Sequence, residues 1–190
     1  MRQIPNREIF KAEVSSMART RLMLASSMGL GLLIFAASRL DAHGNEKGEA
    51  KATIGITTVW ISYGRPSLKG RDMLKQITPG QIWRLGADFP TLIASDHDLD
   101  FGGTRVPKGK HILLARLDSP GHWVLIVSSK TAREFQQDPA ARLAEVPMQT
   151  QESPDSTELL TITVAGKDGG GVIDIAWGTS RLEAAFKSAE

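Results

Sequence analysis

"LLTITVAGKDGGGVIDIAW", residues 159–177, is the stretch whose reading decides the fold. Leu160, Ile162 and Val164 alternate before the turn "AGKDGGG", and Ile173, Ile175 and Trp177 alternate after it. A period of two places each set on one face of an extended strand, whereas a helix would scatter both sets around its axis. Glycine and aspartate between them supply the positive φ values that a tight turn demands. The stretch is therefore a β-hairpin with its two apolar rows facing each other, and Trp177, which continues one row, is expected in the core.

The same pattern recurs on the N-terminal side. From Ala52, Ile54 and Ile56 share one face, and after Thr57-Thr58 the phase flips so that Val59, Ile61 and Tyr63 share the other. Such a flip marks a tight turn or a bulge. "TLIAS" (91–95), "HILLARL" (111–117) and "WVLIVSS" (123–129) are further strands, with "FGGTRVPKGK" and "DSPGH" as turn-rich connectors. "DMLKQI" (72–77) fits a single helical turn closed by Pro79-Gly80. "TAREFQQDPAARLAE" (131–145) is the one helix, interrupted at Pro139, and "PMQTQESPDST" (147–157) is a loop. Several short strands at this spacing predict an all-β fold, an antiparallel β-sandwich with one short helix. With 190 residues and 41% hydrophobic content, the chain suits one domain with a sizeable core. The body is expected to span 52–190, behind a polar linker at 43–51.

Charge is unevenly spread. Of the 23 Lys/Arg and 21 Asp/Glu, six and three fall in 1–42, which leaves 43–190 at −1. A near-neutral body gives no electrostatic case for nucleic acid. The N-terminal segment has the grammar of a signal peptide, with "MARTR" from Met17 as a positive region and Leu22 to Ala37 free of charge. That apolar run is short for a membrane span. Translation from Met17, cleavage after Ala42 and a mature chain beginning near His43, with no stable span left, are the expectations. Absence of cysteine excludes disulfides and lipid attachment at a cysteine. Export without disulfides suits a bacterial envelope protein, periplasmic or secreted.

No strong catalytic signature is present. Asp96, Asp98 and Asp100 have an alternating spacing, but Phe101 and Pro107 stand where a calcium loop needs Gly and Glu. His111 and His122 lack paired metal-ligand spacing, Ser67 has no base placed by spacing, and "KDGGG" is not a phosphate loop. No metal or cofactor is expected. The arginines remain. "ISYGRPSLKGRDML" (61–74) sets Arg65, Lys69 and Arg71 close together, and "IWRLGAD" (82–88) places Arg84 beside Trp83. Guanidinium groups pair with carboxylates or phosphates and stack on aromatic faces, which Trp60, Tyr63 and Trp83 could offer. These cations either bind an anion or tie the fold together from inside. Arg84, with apolar Ile82 and Leu85 nearby, is expected to be partly buried against Asp88, Asp72 or a bound anion.

Strung together, these motifs resemble the bacterial family called domain of unknown function 2911. The likeness rests on Tyr63, Arg65, Pro66, Lys69, Gly70 and Arg71, then Trp83, Arg84, Gly86 and Ala87, then Pro107 and Gly109, with an echo at "IDIAWG". Asp88 and His111 depart from the family's usual Asn and Tyr. The resemblance implies an exported β-rich domain and no known activity. The expected function is a binding or structural module of the envelope, with an Arg-rich groove for an unknown small or polymeric ligand, anionic or sugar-like. Tyr63, Arg65, Lys69, Arg71, Trp83, Arg84, Asp88 and His111 are its candidate residues. The alternative is a hydrolase or lyase using His111 with an aspartate such as Asp88.

Overall fold

The computed structural model describes residues 44–189, so the expected signal segment and cleavage point lie outside the described residues. In chain order the strands are β1 (Glu46–Ile54), β2 (Thr57–Arg65), β3 (Ile82–Trp83), β4 (Leu92–Ser95), β5 (Leu99–Phe101) and β6 (Thr104–Val106). β7 (Gly109–Ser119), β8 (His122–Ser128), β9 (Arg142–Pro147), β10 (Gln149–Lys167) and β11 (Gly170–Ser188) follow. One α-helix, α1 (Ala132–Gln137), and two short 3-10 turns, Leu74–Gln76 and Pro139–Ala141, complete the described residues. None of their helices is long and apolar enough to cross a membrane.

The deciding hairpin is β10–β11. Ile162 lies opposite Ile175 and Val164 opposite Ile173, and the turn residues Asp168 and Gly169 have φ of 50° and 74°. Both central residues in the left-handed region is the hairpin geometry that an Asp-Gly pair favours. The phase flip near Thr57 is also a turn, at Gly55-Ile56, which leaves Ile56 at the tip of the β1–β2 hairpin, 76% exposed.

Two antiparallel sheets pack face to face. The larger runs β1-β2-β4-β7-β8-β9, with β3 pairing β7 alongside β4, and the smaller runs β10-β11-β5-β6. Their inner faces meet in one core: Val59, Ile61, Ile93, Leu113 and Leu125 come from one sheet, Leu160, Ile162, Ile173, Ile175 and Phe186 from the other. The outer face of the larger sheet carries a second, small cluster, in which Leu114 and Ile126 are covered by Phe135 of α1 and by Ala141. This is the sandwich with one short helix that the periodicity predicts.

Four segments differ from their sequence reading. The polar stretch 43–51 is strand from Glu46 onward, because β1 pairs with β2 along its whole length and backbone pairing needs no apolar side chains. Inside the connector at 101–110, Gly102-Gly103 (φ 63° and 89°) forms the turn of the β5–β6 hairpin. The helix ends by Asp138, before Pro139, and 142–145 belongs to β9. Residues 149–157, with their polar loop composition, form the first half of β10, and Gln149 to Glu152 pair with Glu183 to Ser180.

One irregularity positions the site. β3 and β4 lie one after the other along the same edge of β7, Trp83 opposite Ala115 and Leu92 opposite Ile112. They amount to one strand interrupted by an excursion, residues 84–91, that leaves the sheet and returns.

Candidate functional site

The first motif stretch proves to be a stitch between the sheets. Tyr63 is buried; its hydroxyl accepts from the Ile162 amide (2.8 Å) and lies 3.3 Å from the Ile162 carbonyl. Arg65 donates through Nε to the Leu160 carbonyl (3.2 Å) and through Nη2 to Thr161 Oγ1 (3.3 Å), and reaches Glu46 at 3.5 Å. Beyond β2 the chain pairs directly with β10: the Leu160 amide donates to the Pro66 carbonyl and the Leu68 amide to the Glu158 carbonyl, both at 3.0 Å. Glu158 also accepts from the Ser67 hydroxyl and the Lys69 amide, and these bonds hold its carboxyl below the usual glutamate range. Arg71 Nε donates to the Leu68 carbonyl (3.3 Å). Tyr63 and Arg65 tie the fold together from inside.

The second motif stretch builds the excursion. Gly64 of β2 faces it so closely that a Cβ on Gly64 would stand 1.8 Å from the Ala87 carbonyl oxygen. Gly86 is pressed on the same spot, its own Cβ position 2.9 Å from the Gly64 carbonyl oxygen. Leu85 (φ 56°) and Asp88 (φ 61°) both sit in the left-handed region, at a cost of about 1 kcal/mol or more each for non-glycine residues. The strain is held in place by full burial of Leu85, by Thr91 Oγ1 donating to the Leu85 carbonyl (2.8 Å), and by the Phe89 amide closing on the Ala87 carbonyl (2.7 Å). Strained backbone fixed this firmly tends to cluster at functional sites.

Between the excursion and α1, on the outer face of the larger sheet, lies a cleft of about 410 Å³. Ile112 and Leu114 line it from the sheet, Arg84 and Asp88 from the excursion, Arg133 and Gln136 from the helix. Arg84 is exposed, not partly buried: the left-handed Leu85 next to it carries the core contact instead. Its Nε donates to the Gly86 carbonyl (3.2 Å), and neither expected carboxylate pairs with it. Asp72 is taken by Lys75 (3.0 Å), and Asp88 Oδ2 accepts the Asn45 amide (2.5 Å) and Asn45 Nδ2 (3.0 Å). These two donors hold the Asp88 carboxyl below its ordinary range, and the nearby charge of Arg84 adds to the effect. Among the described residues neither Arg84 nor Arg133 makes an ion pair. The cleft therefore offers, beside an apolar floor and the Asp88 carboxylate, two guanidinium groups that make no direct ion pair among the described residues.

His111 is elsewhere. Its Cα partner is Ile93, whose side chain is in the core, so His111 projects to the inner side of the sheet that carries Asp88 on its outer side. Its Nε2 donates to the Pro107 carbonyl (2.6 Å), the turn of the third motif. His111 and Asp88 are therefore not brought together. Trp83 faces inward too, stacked on Trp177 (centroids 5.9 Å apart, 10° between planes) with Trp123 edge-on at 5.9 Å. Asp96, Asp98 and Asp100 each accept from a backbone amide, of Thr58, Lys108 and Gly103, and no group of three or more metal-ligating side chains occurs among the described residues.

A larger groove, about 510 Å³, opens beside the β10–β11 turn, but its Lys167 and Glu183 neutralise each other (2.6 Å) and none of the motif residues lines it. Arg133 is the charged cleft residue that sequence reading missed. It belongs to the helix, far from the motifs along the chain, and only folding α1 over Leu114 carries it to Arg84.

A family model described as "Protein of unknown function (DUF2911)" matches residues 45–186. No curated protein and no solved structure matches the chain.

Proposed function

We propose that this chain, which belongs to the DUF2911 family of unknown function, is an exported binding module. Its outer-face cleft takes an anionic ligand with a small apolar part, either free or as a group on an envelope polymer. The observation that carries the reading is the pair of guanidinium groups, Arg84 and Arg133, left without carboxylate partners over Ile112 and Leu114. Arginine forks match phosphate and carboxylate geometry, and an apolar floor with a few convergent polar groups is the usual make-up of a ligand site. Phe89, 51% exposed on the same excursion, adds apolar surface near the cleft. Export rests on the N-terminal segment, and a mature mass that begins near His43 is the expected result of mass spectrometry.

Thermal melts with and without inorganic phosphate test the cleft. Phosphate at about 100 times its Kd should stabilise the wild type by about 2.7 kcal/mol. Arg84→Met/Arg133→Met should melt with the wild type in the absence of phosphate, since no buried acid is stranded, and should lose the phosphate shift. Equal shifts in both proteins would place the anion elsewhere and overturn the reading.

A further inference from the structure

One carboxylate that lines the cleft is held by a contact to the segment before β1. Asp88 is near enough to Arg84 for the guanidinium to favour its ionised form, yet the two make no ion pair. Its Oδ2 is occupied instead by both donors of Asn45, the residue just before β1. A carboxylate is an acceptor only, and one that loses two donors turns to the nearest cation. Here the cation whose charge reaches it is Arg84.

Resting on the anion-site reading, we infer that Asn45 is a latch that regulates this cleft: by holding Asp88 it keeps Arg84 open to an anion. With the latch closed, the Asp88 carboxylate is turned to Asn45 and the Arg84 guanidinium has no ion-pair partner on the excursion. With the latch open, Asp88 swings to a guanidinium and occupies the place an anionic ligand would take. The segment that leads into β1 thereby controls the affinity of a site on the far side of the excursion, and whatever pulls Asn45 from its place lowers that affinity.

Calorimetric titration with inorganic phosphate tests this. Asn45→Pro removes the amide donor and the side-chain donor together, while Asn45→Ala removes only Nδ2. Affinity should fall about fivefold in Asn45→Pro, the scale of a well-formed exposed ion pair, and less in Asn45→Ala. Adding Asp88→Asn should then raise affinity more in the Asn45→Pro background than in the wild type, because only the freed carboxylate blocks the site. Equal gains in both backgrounds, or an Asn45→Pro variant that binds like the wild type, would overturn the latch. Should Asn45→Pro fail to fold, the same comparison in the Asn45→Ala background decides. A wild type that does not bind phosphate at all would instead remove the cleft reading, and the latch with it.

Discussion

Gly64→Ala should destabilise the protein by about 3 kcal/mol or more, a drop of roughly 6–12 °C in melting temperature for a chain of this size. The new Cβ would stand 1.8 Å from the Ala87 carbonyl oxygen and 2.9 Å from its carbonyl carbon. Neither side can yield cheaply. Gly64 lies in β2, paired with Lys47, and the excursion is pinned by the buried Leu85, the Thr91 bond and the Asn45–Asp88 contact. Relief has to come from lifting the excursion off the sheet, which would also displace Arg84 and weaken phosphate binding. Gly55→Ala is the control. It meets nothing within 4 Å and has only a φ of 61° to accommodate, so about 1 kcal/mol covers it. A Gly64→Ala protein that melts within about 2 °C of the wild type would mean the excursion is not seated on β2 as described.

Trp177→Ala should cost about 3–5 kcal/mol in urea unfolding, in the range of large aromatic deletions from a core. Trp177 is 5% exposed and stacks on Trp83, which holds the strand leading into the excursion against the smaller sheet. Its Nε1–H is buried and has no hydrogen-bond partner among the described residues. An unsatisfied buried donor carries a penalty of about 1–3 kcal/mol, so part of what the ring contributes is already offset. Trp177→Phe removes that donor and keeps an aromatic ring, and should therefore cost far less than the alanine change, about 1 kcal/mol. A loss below about 1 kcal/mol for Trp177→Ala would contradict the packing of the two sheets around this stack.

The parts of the fold that were legible in sequence are those where apolar alternation and turn chemistry coincide. Leu160 to Trp177 and Val59 to Tyr63 are such stretches, and each sits in the core where its period puts it. The polar part of β1, 46–51, and the first half of β10 escaped detection because their side chains are mostly exposed and only backbone pairing defines them. The arginines divide in a way their common motif does not announce. Arg65 is spent on the Leu160 carbonyl and the Thr161 hydroxyl of β10, whereas Arg84, next to the inward Trp83, is exposed on the other side of the sheet. Arg133 joins the cleft only through tertiary packing of α1, so no spacing rule could pair it with Arg84.

The most direct measurement is the location of a heavy tetrahedral anion in a crystal of the mature protein. Soaked selenate, followed by its anomalous signal, should give its strongest peak between Arg84 and Arg133 over Ile112, and that peak should vanish in Arg84→Met/Arg133→Met. Selenate bound only at other surface cations, with this cleft empty in the wild type, would contradict the account.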